Sequence, residues 1–105
     1  MGQSDKQGSM ESVKEGVRIM ILYHATTPRK IERYLNTRAI LAPVRGFDTL
    51  EAAEFWGRKT LRSKIVKFES DRVYKLPDHH NAYGRAFWAE ENISEYEIME
   101  NRFFK

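Results

Sequence analysis

The most apolar stretch of the chain covers residues 17–23, in which Arg18 is the only charged residue. A near-continuous apolar run of this length is typical of a strand that is buried on both faces of a sheet. The sequence His-Ala-Thr-Thr-Pro at residues 24–28 follows and ends the run. The pattern therefore predicts a central strand over residues 17–23.

Two short amphipathic helices are predicted next. Thr27 is a suitable N-cap and Pro28 suits the first helical position, where no backbone N–H is needed. Apolar residues then recur at helical spacing and predict a helix over residues 28–37. Asp48 is predicted to cap a second helix, because Glu51 lies three positions later and can reach back to the cap.

The remaining segments favour strands. Four of them are rich in β-branched and aromatic side chains, which are enriched in sheets. They are residues 64–68, 72–76, 83–89 and 93–98. Residues 39–44 are interrupted by Pro43 and predict an extended connector or edge strand. The resulting order of elements, β-α-β-α-β-β-β-β, is typical of an α+β domain.

The length of 105 residues allows one domain. Residues 1–16 carry few apolar side chains and are expected to be a disordered leader or tag, so that residues 17–105 form the domain. No apolar run approaches the ~20 residues of a membrane span, and no signal peptide is evident. A cytoplasmic protein is therefore expected. The absence of cysteine excludes disulfides, thiolate zinc sites and cysteine nucleophiles.

Positive charge is concentrated in the body of the chain. Residues 17–77 carry 13 Lys and Arg against six Asp and Glu, a net charge of +7, whereas residues 78–105 have a net charge of −3. A basic body indicates an anionic partner, either nucleic acid or a phosphate-bearing cofactor. An ordinary solvated surface gives the same counts, and charge alone does not distinguish the two interpretations.

A polar pair stands where the first strand is predicted to end. His24 and Thr26 follow the apolar run directly, and ligands bind at strand ends because backbone groups are free there. His24 therefore has two interpretations: a ligand-binding residue, or a core histidine bonded to a nearby carbonyl. No metal site is expected, because the adjacent histidines of Asp78-His79-His80 seldom converge on one ion.

Three short motifs are similar to those of a known superfamily. The matching residues are His24 and Thr26, then Ala53, Gly57 and Arg58, and then Trp88, Ile93 and Tyr96. Over residues 18–98 the chain resembles the ADP-ribosyltransferase superfamily, most nearly the catalytic domain of the NAD-dependent RNA 2′-phosphotransferases. The resemblance implies a compact ADP-ribosyltransferase-like α+β fold with a mixed, mostly antiparallel split sheet and two short helices.

The resemblance also implies a function. An NAD-binding transferase of this kind moves ADP-ribose to a phosphate or nucleic-acid acceptor such as RNA. The implied catalytic residues are His24, Arg58 and Arg85. The implied cofactor-binding residues are Tyr23, His24, Thr26, Arg45 and Phe47. Tyr23, Phe47 and Tyr83 are alternative stacking partners for nicotinamide or adenine.

The chain departs from the family pattern at several points, two of which bear on the chemistry. Ala25 replaces the motif glycine, and Arg85 or Ala86 falls where protein ADP-ribosyltransferases place a glutamate. A carboxylate helps to activate a neutral acceptor, whereas an RNA 2′-phosphate is already an anion and needs cations to hold it. Cations without a glutamate therefore favour a phosphate acceptor. The alternatives are a non-catalytic module that binds nucleic acid or protein, and a subunit whose protein partner completes the site.

Overall fold

The computed structural model describes residues 19–78 and 80–104. Its elements are β1 (Met20–Thr26), α1 (Pro28–Thr37), β2 (Val44–Phe47), α2 (Leu50–Thr60), β3 (Lys64–Ser70), β4 (Val73–Lys75), β5 (Ala86–Ala89), β6 (Glu97–Glu100) and a short 3-10 turn (Arg102–Phe104). The order of helices and strands is the order predicted from the sequence. The leader predicted at residues 1–16 and His79 lie outside the described residues.

The sheet has six strands in the order β4-β5-β2-β1-β3-β6. Each pair of neighbours is antiparallel. The prediction of a mostly antiparallel sheet is therefore confirmed, whereas the prediction of a mixed sheet is wrong, because no two neighbouring described strands are parallel. The α+β class, the two short helices and the central position of the first strand are confirmed.

The first strand is displaced towards the C-terminus relative to its predicted range. β1 ends at Thr26 and not at Tyr23, because β3 continues to pair with it as far as the Thr26–Lys64 pair. His24 and Thr26 therefore lie within the strand. Their alternation with Ala25 places both side chains on the same face of the sheet.

The second strand lies in the interior of the sheet. β2 runs between β5 and β1, so the edge-strand alternative for residues 39–44 is wrong. Residues 39–43 form the connector that leads into β2, which was the other alternative. A Cβ atom on Gly46 would lie 3.0 Å from Leu22 Cβ and 3.2 Å from the Tyr23 carbonyl oxygen, which leaves little room for a side chain. Beyond the single registered pair of Tyr23 with Phe47, no further pair joins β1 to β2 in the described ranges.

The N-cap of α1 is the one predicted from the sequence, whereas the N-cap of α2 is not. Thr27 caps α1, and its hydroxyl accepts the Lys30 amide at 3.2 Å. The cap of α2 is Thr49 and not Asp48, since the Thr49 hydroxyl accepts the Ala52 amide at 3.1 Å. Asp48 instead accepts the Arg85 amide at 2.8 Å and ties the start of α2 to the segment before β5.

The last two strands, β5 and β6, begin later in the sequence than predicted, and both are shorter than predicted. β5 begins at Ala86, because Asn81 and Gly84 form a turn that occupies the start of the predicted range. β6 covers Glu97–Glu100. Ile93, which was predicted to begin that strand, makes an isolated bridge with Ile40 and is buried in the core.

Two apolar clusters fill the two sides of the sheet. The cluster beneath α1 contains Leu22, Ile31, Ile40, Val44, Val66, Phe68, Ala89 and Ile93. The cluster beneath α2 contains Ala25, Phe47, Ala52, Ala53, Ile65, Leu76 and Ala86. Leu22 and Ala25 come from opposite faces of β1, so each helix covers one face of the sheet. In the described ranges, no helix is long and apolar enough to cross a membrane.

Buried polar contacts join the C-terminal segment to α2. The Asn101 side-chain amide donates to the Glu54 and Arg62 carbonyl oxygens, both at 3.1 Å. Glu54 is 2% exposed, and Arg102 donates to its two carboxylate oxygens through Nε and Nη2, both at 2.7 Å. The hydrogen bonds from Arg102 lower the pKa of Glu54 against the opposing effect of burial. The Glu54 carboxylate is therefore ionised and paired.

Candidate functional site

A cleft of about 300 Å³ lies beside the short contact between β1 and β2. Its lining residues are His24, Ala25, Lys30, Pro43, Arg45, Gly46, Phe47, Trp56 and Arg62. A groove of about 240 Å³ adjoins it along α1 and shares His24, Lys30 and Pro43 with it. His24 thus stands at the junction of the two concave surfaces.

The His24 ring is oriented by a directed chain of hydrogen bonds. Its Nδ1 lies 2.7 Å from the Arg45 carbonyl oxygen, which can only accept, so Nδ1 carries the proton. In the neutral ring Nε2 is then an acceptor, and the Tyr34 hydroxyl donates to it at 3.3 Å. The Thr26 hydroxyl, fully buried, in turn donates to Tyr34 at 2.9 Å. This chain fixes the tautomer of the imidazole.

His24 is neutral at physiological pH. Burial lowers its pKa from 6.5 to about 4, and the nearby positive charges of Lys30, Arg62 and Arg45 act in the same direction. The hydrogen bond to the Arg45 carbonyl opposes them and does not reverse the shift. The imidazole therefore remains neutral among cations at pH 7.

Positive charge converges on the cleft. Lys30, Arg45 and Arg62 line it, and Arg33 lines the adjoining groove. Burial lowers the pKa of Lys30, and the charges of Arg62 and Arg33 lower it further. None of the described residues that line the cleft or the groove is acidic. An anion bound here would relieve the mutual repulsion of these cations.

Two aromatic residues form one wall of the cleft. The ring centroids of Phe47 and Trp56 are 6.3 Å apart, with an angle of 49° between the planes. Phe47 comes from β2 and Trp56 from the side of α2 that faces the sheet. The cleft therefore combines cations with a flat apolar surface, as sites for phosphate-bearing aromatic ligands do.

The structure brings together only part of the site predicted from sequence. His24, Arg45 and Phe47 line the cleft. Thr26 lies behind His24 and acts on it through Tyr34. Tyr23 packs against the cluster beneath α2 and is not a lining residue.

Two of the predicted catalytic residues lie elsewhere. Arg58 is placed over the Phe103 ring, with its guanidinium carbon 5.4 Å from the ring centroid. Arg85 is exposed, and its backbone is hydrogen-bonded to Asp48 in both directions. Neither Arg58 nor Arg85 lines the cleft. His80, from the loop considered for a metal, accepts the Ala86 amide through Nδ1 at 3.1 Å.

Several residues of the cleft region were missed by sequence reasoning, among them Lys30, Tyr34, Trp56 and Arg62. Lys30 and Tyr34 are four positions apart on α1, and that spacing could have indicated a shared face towards the end of β1. Arg62 carries no comparable signal. It reaches the cleft because Leu61 adopts a left-handed conformation, φ 61°, which turns the chain back at the end of α2.

The pH dependence of stability is expected to report the burial of His24. Between pH 6.5 and about 4 the unfolded imidazole binds a proton that the folded one does not. The free energy of unfolding should therefore fall as pH falls through this interval, and be independent of His24 above it. Denaturant unfolding of the wild type and of His24→Gln, at several pH values, measures the effect. Equal pH slopes for the two proteins would contradict it.

Comparisons of the chain with protein-family models, with curated proteins and with solved structures found no match. The class of molecule is therefore defined by its own geometry. It is an antiparallel α+β domain with a neutral, internally bonded histidine, a group of cations and an aromatic wall in one cleft.

Proposed function

We propose that the cleft binds NAD and that the chain is an ADP-ribosyltransferase-like enzyme that transfers ADP-ribose to a phosphate or nucleic-acid acceptor. The observation that carries this proposal is the convergence of His24, Lys30, Arg45 and Arg62 on one cleft whose described lining contains no carboxylate. The single registered pair between β1 and β2 supports the assignment of an ADP-ribosyltransferase-like split sheet, because the two strands are not paired further beside the cleft.

The cations account for binding of the pyrophosphate. Arg45 and Arg62 offer guanidinium groups that pair with phosphate oxygens through two N–H donors each. Lys30 adds a compact charge from the first turn of α1. Charge-assisted hydrogen bonds of this type are among the stronger polar contacts in proteins. Phe47 and Trp56 supply an apolar surface on which a flat ring stacks.

His24 suits a ribose hydroxyl. Its Nδ1 proton is committed to the Arg45 carbonyl, so Nε2 remains an acceptor at neutral pH. A ribose hydroxyl that donates to Nε2 takes the place of the Tyr34 hydroxyl, which lies at the longer distance of 3.3 Å. Thr26 still holds Tyr34 from below at 2.9 Å. His24 thus orients the sugar without needing a charge.

The reaction requires little acid or base chemistry. The bond between the ribose C1′ and the nicotinamide nitrogen breaks, and nicotinamide leaves with the electron pair and becomes neutral. An oxygen of the acceptor phosphate forms the new bond to C1′. Because the acceptor is already an anion, no carboxylate is needed to remove a proton. The cations then serve to hold the two reacting groups in line.

A second candidate is a non-catalytic module. It is favoured by the internal partners of His24, since both ring nitrogens have a hydrogen-bond partner within the chain. In that case the histidine serves the fold, and the cations bind a phosphate-bearing partner without turnover. The two candidates differ in what happens when His24 is replaced.

Titration with NAD tests the proposal. Under it, the wild type shows NAD-dependent NMR shifts, and His24→Ala weakens binding about tenfold, which corresponds to about 1.4 kcal/mol. Release of nicotinamide in the presence of a phosphate acceptor measures turnover. The thermal stability of the same variant is recorded in parallel, so that affinities are compared between folded proteins.

Two results would count against the proposal. Absence of any NAD-dependent shift at millimolar ligand excludes the enzyme and leaves the binding module. A His24→Ala variant that loses stability but keeps the wild-type affinity for NAD shows that the histidine serves only the fold. Asn36→Ala, an exposed change on α1 outside both the cleft and the groove, is the matched control and should leave the affinity unchanged.

A further inference from the structure

The outward side of α2 carries another concave surface. Its volume is about 350 Å³, and it is lined by Glu51, Glu54, Phe55, Tyr83, Arg102 and Phe103. Helical spacing places Glu51, Phe55 and Arg58 on one face of α2. Ala52, Ala53 and Trp56 face the sheet. The pocket is therefore separated from the His24 cleft by the body of the helix.

Aromatic rings dominate the pocket and remain accessible to solvent. Tyr83 is 53% exposed and Phe103 is 52% exposed. The Phe55 and Tyr83 ring centroids are 5.2 Å apart, at an angle of 50°. These rings come from three separate parts of the chain: α2, the segment before β5 and the C-terminal turn. An exposed aromatic group assembled in this way indicates a binding surface.

Cations surround the rings. Lys59 places its ammonium nitrogen 5.5 Å from the Phe55 centroid, and Arg58 lies 5.4 Å from the Phe103 centroid. Arg102 uses Nε and Nη2 to bind Glu54, which holds the guanidinium plane in place. Its Nη1 makes no hydrogen bond among the described contacts of this pair and is available to a ligand. Arg102 balances the negative charge of Glu54, and Glu51 is the other acidic residue of the lining.

We propose that this pocket binds an unpaired base of single-stranded nucleic acid. The base stacks on Tyr83 and Phe103, and the flanking phosphates contact Arg58, Lys59 and Arg102. Stacking on aromatic side chains beside cations is the general mode by which proteins hold single strands. The proposal goes beyond the function proposed for the His24 cleft and does not depend on it, because no residue lines both surfaces.

The charge pattern favours nucleic acid over a protein segment. An apolar peptide side chain would use the rings but would leave Arg58 and Lys59 without an anionic group, whereas Arg102 already pairs with Glu54. A base with its phosphates uses both the rings and the cations. A peptide that binds the pocket in competition with nucleic acid is treated as an outcome of the test.

The test is a titration of the full chain with fluorescein-labelled oligoadenylate of about six nucleotides, followed by anisotropy at ~50 mM and ~200 mM salt. Tyr83→Ala and Phe103→Ala are each expected to weaken binding about tenfold. Lys59→Gln is expected to weaken binding and to reduce its salt dependence. RNA and DNA oligomers are titrated separately, and the oligomer that binds more tightly identifies the kind of nucleic acid that the pocket prefers.

Matched controls lie on β4, away from the pocket. Tyr74 is also 53% exposed, and Tyr74→Ala should leave oligomer binding unchanged, as should Lys75→Gln. Thermal unfolding of each variant verifies that it is folded. The NAD affinity of the same variants is expected to equal that of the wild type. A wrong proposal for the His24 cleft can therefore be told apart from a wrong proposal for this pocket.

Four results overturn the proposal. One is the absence of oligomer binding by the wild type at ~50 mM salt. Another is an equal loss of affinity in Tyr83→Ala and Tyr74→Ala, which shows that the rings of the pocket are not the contact. The third is an oligomer affinity equal to that of the wild type in every pocket variant, which shows that the oligomer binds another basic surface. Displacement of a bound oligomer by an apolar peptide but not by mononucleotides assigns the pocket to a protein partner and also overturns it.

Discussion

Gly57→Ala is expected to lower the free energy of unfolding by about 3 kcal/mol, although alanine is the better helix former. A Cβ atom at this position would lie 2.5 Å from Asn101 Nδ2 and 2.6 Å from the Arg62 carbonyl oxygen. The first is the tip of a buried side chain that is held by two hydrogen bonds, and the second is backbone. Neither atom can move away without breaking the contacts that join the C-terminal segment to α2.

Denaturant unfolding measures this change, and thermal unfolding should show a fall of about 12–20 °C. Asn36→Ala on α1 is the matched control, because the residue is exposed and the substitution changes helix propensity without a steric conflict. It is expected to raise stability by a few tenths of a kcal/mol. A Gly57→Ala variant that is as stable as this control would show that the packing of Asn101 against α2 is loose.

Arg62→Glu is expected to weaken NAD binding about thirtyfold, which corresponds to about 2 kcal/mol. The substitution removes one cation of the cleft and places a negative charge where phosphate oxygens are proposed to bind. It should also raise the pKa of His24 above about 4, because the charge of Arg62 is one of the causes that lower it. The backbone contacts of Arg62 with Gly57 and Asn101 do not involve the side chain and are retained.

Arg58→Glu is the control for this prediction. Arg58 lies over Phe103 and does not line the cleft, so the same charge reversal should leave NAD affinity close to the wild-type value. Calorimetry gives the affinities, and NMR titration of the imidazole gives the pKa. If Arg58→Glu were the more damaging of the two, the sequence-based assignment of Arg58 would be right and the cleft around His24 would not be the site.

The fold class could be predicted because periodicity is a local property. The apolar run before His24, the Thr27 cap with Pro28, and the β-branched segments after α2 each specify an element without reference to the rest of the chain. The partners of the strands are not local. The order of the sheet brings β2 beside β1 and places β3 on its other side, and the extension of β1 to Thr26 depends on pairing with Lys64. No pattern within the first strand encodes that pairing.

The site residues could be predicted where a local motif marks them, and could not be predicted where residues distant in sequence come together in the fold. His24, Arg45 and Phe47 were predicted and do line the cleft. Arg62 was missed because it comes from a turn far along the sequence. Arg58 was placed at the site through a motif match, yet the turn of α2 directs it to the opposite side of the helix.

The single registered pair between β1 and β2 has a mechanical consequence. Each half of the sheet is well joined internally, by seven pairs between β1 and β3 and by four between β2 and β5. Between β1 and β2 the backbone contributes the Tyr23–Phe47 pair, and His24 adds its hydrogen bond to the Arg45 carbonyl. Both apolar clusters also pack across this line, since each contains residues of both halves. The other neighbouring strands are joined by ladders of three to seven registered pairs. The sheet is therefore held at this line mainly by side-chain packing, to which His24 adds a hydrogen bond.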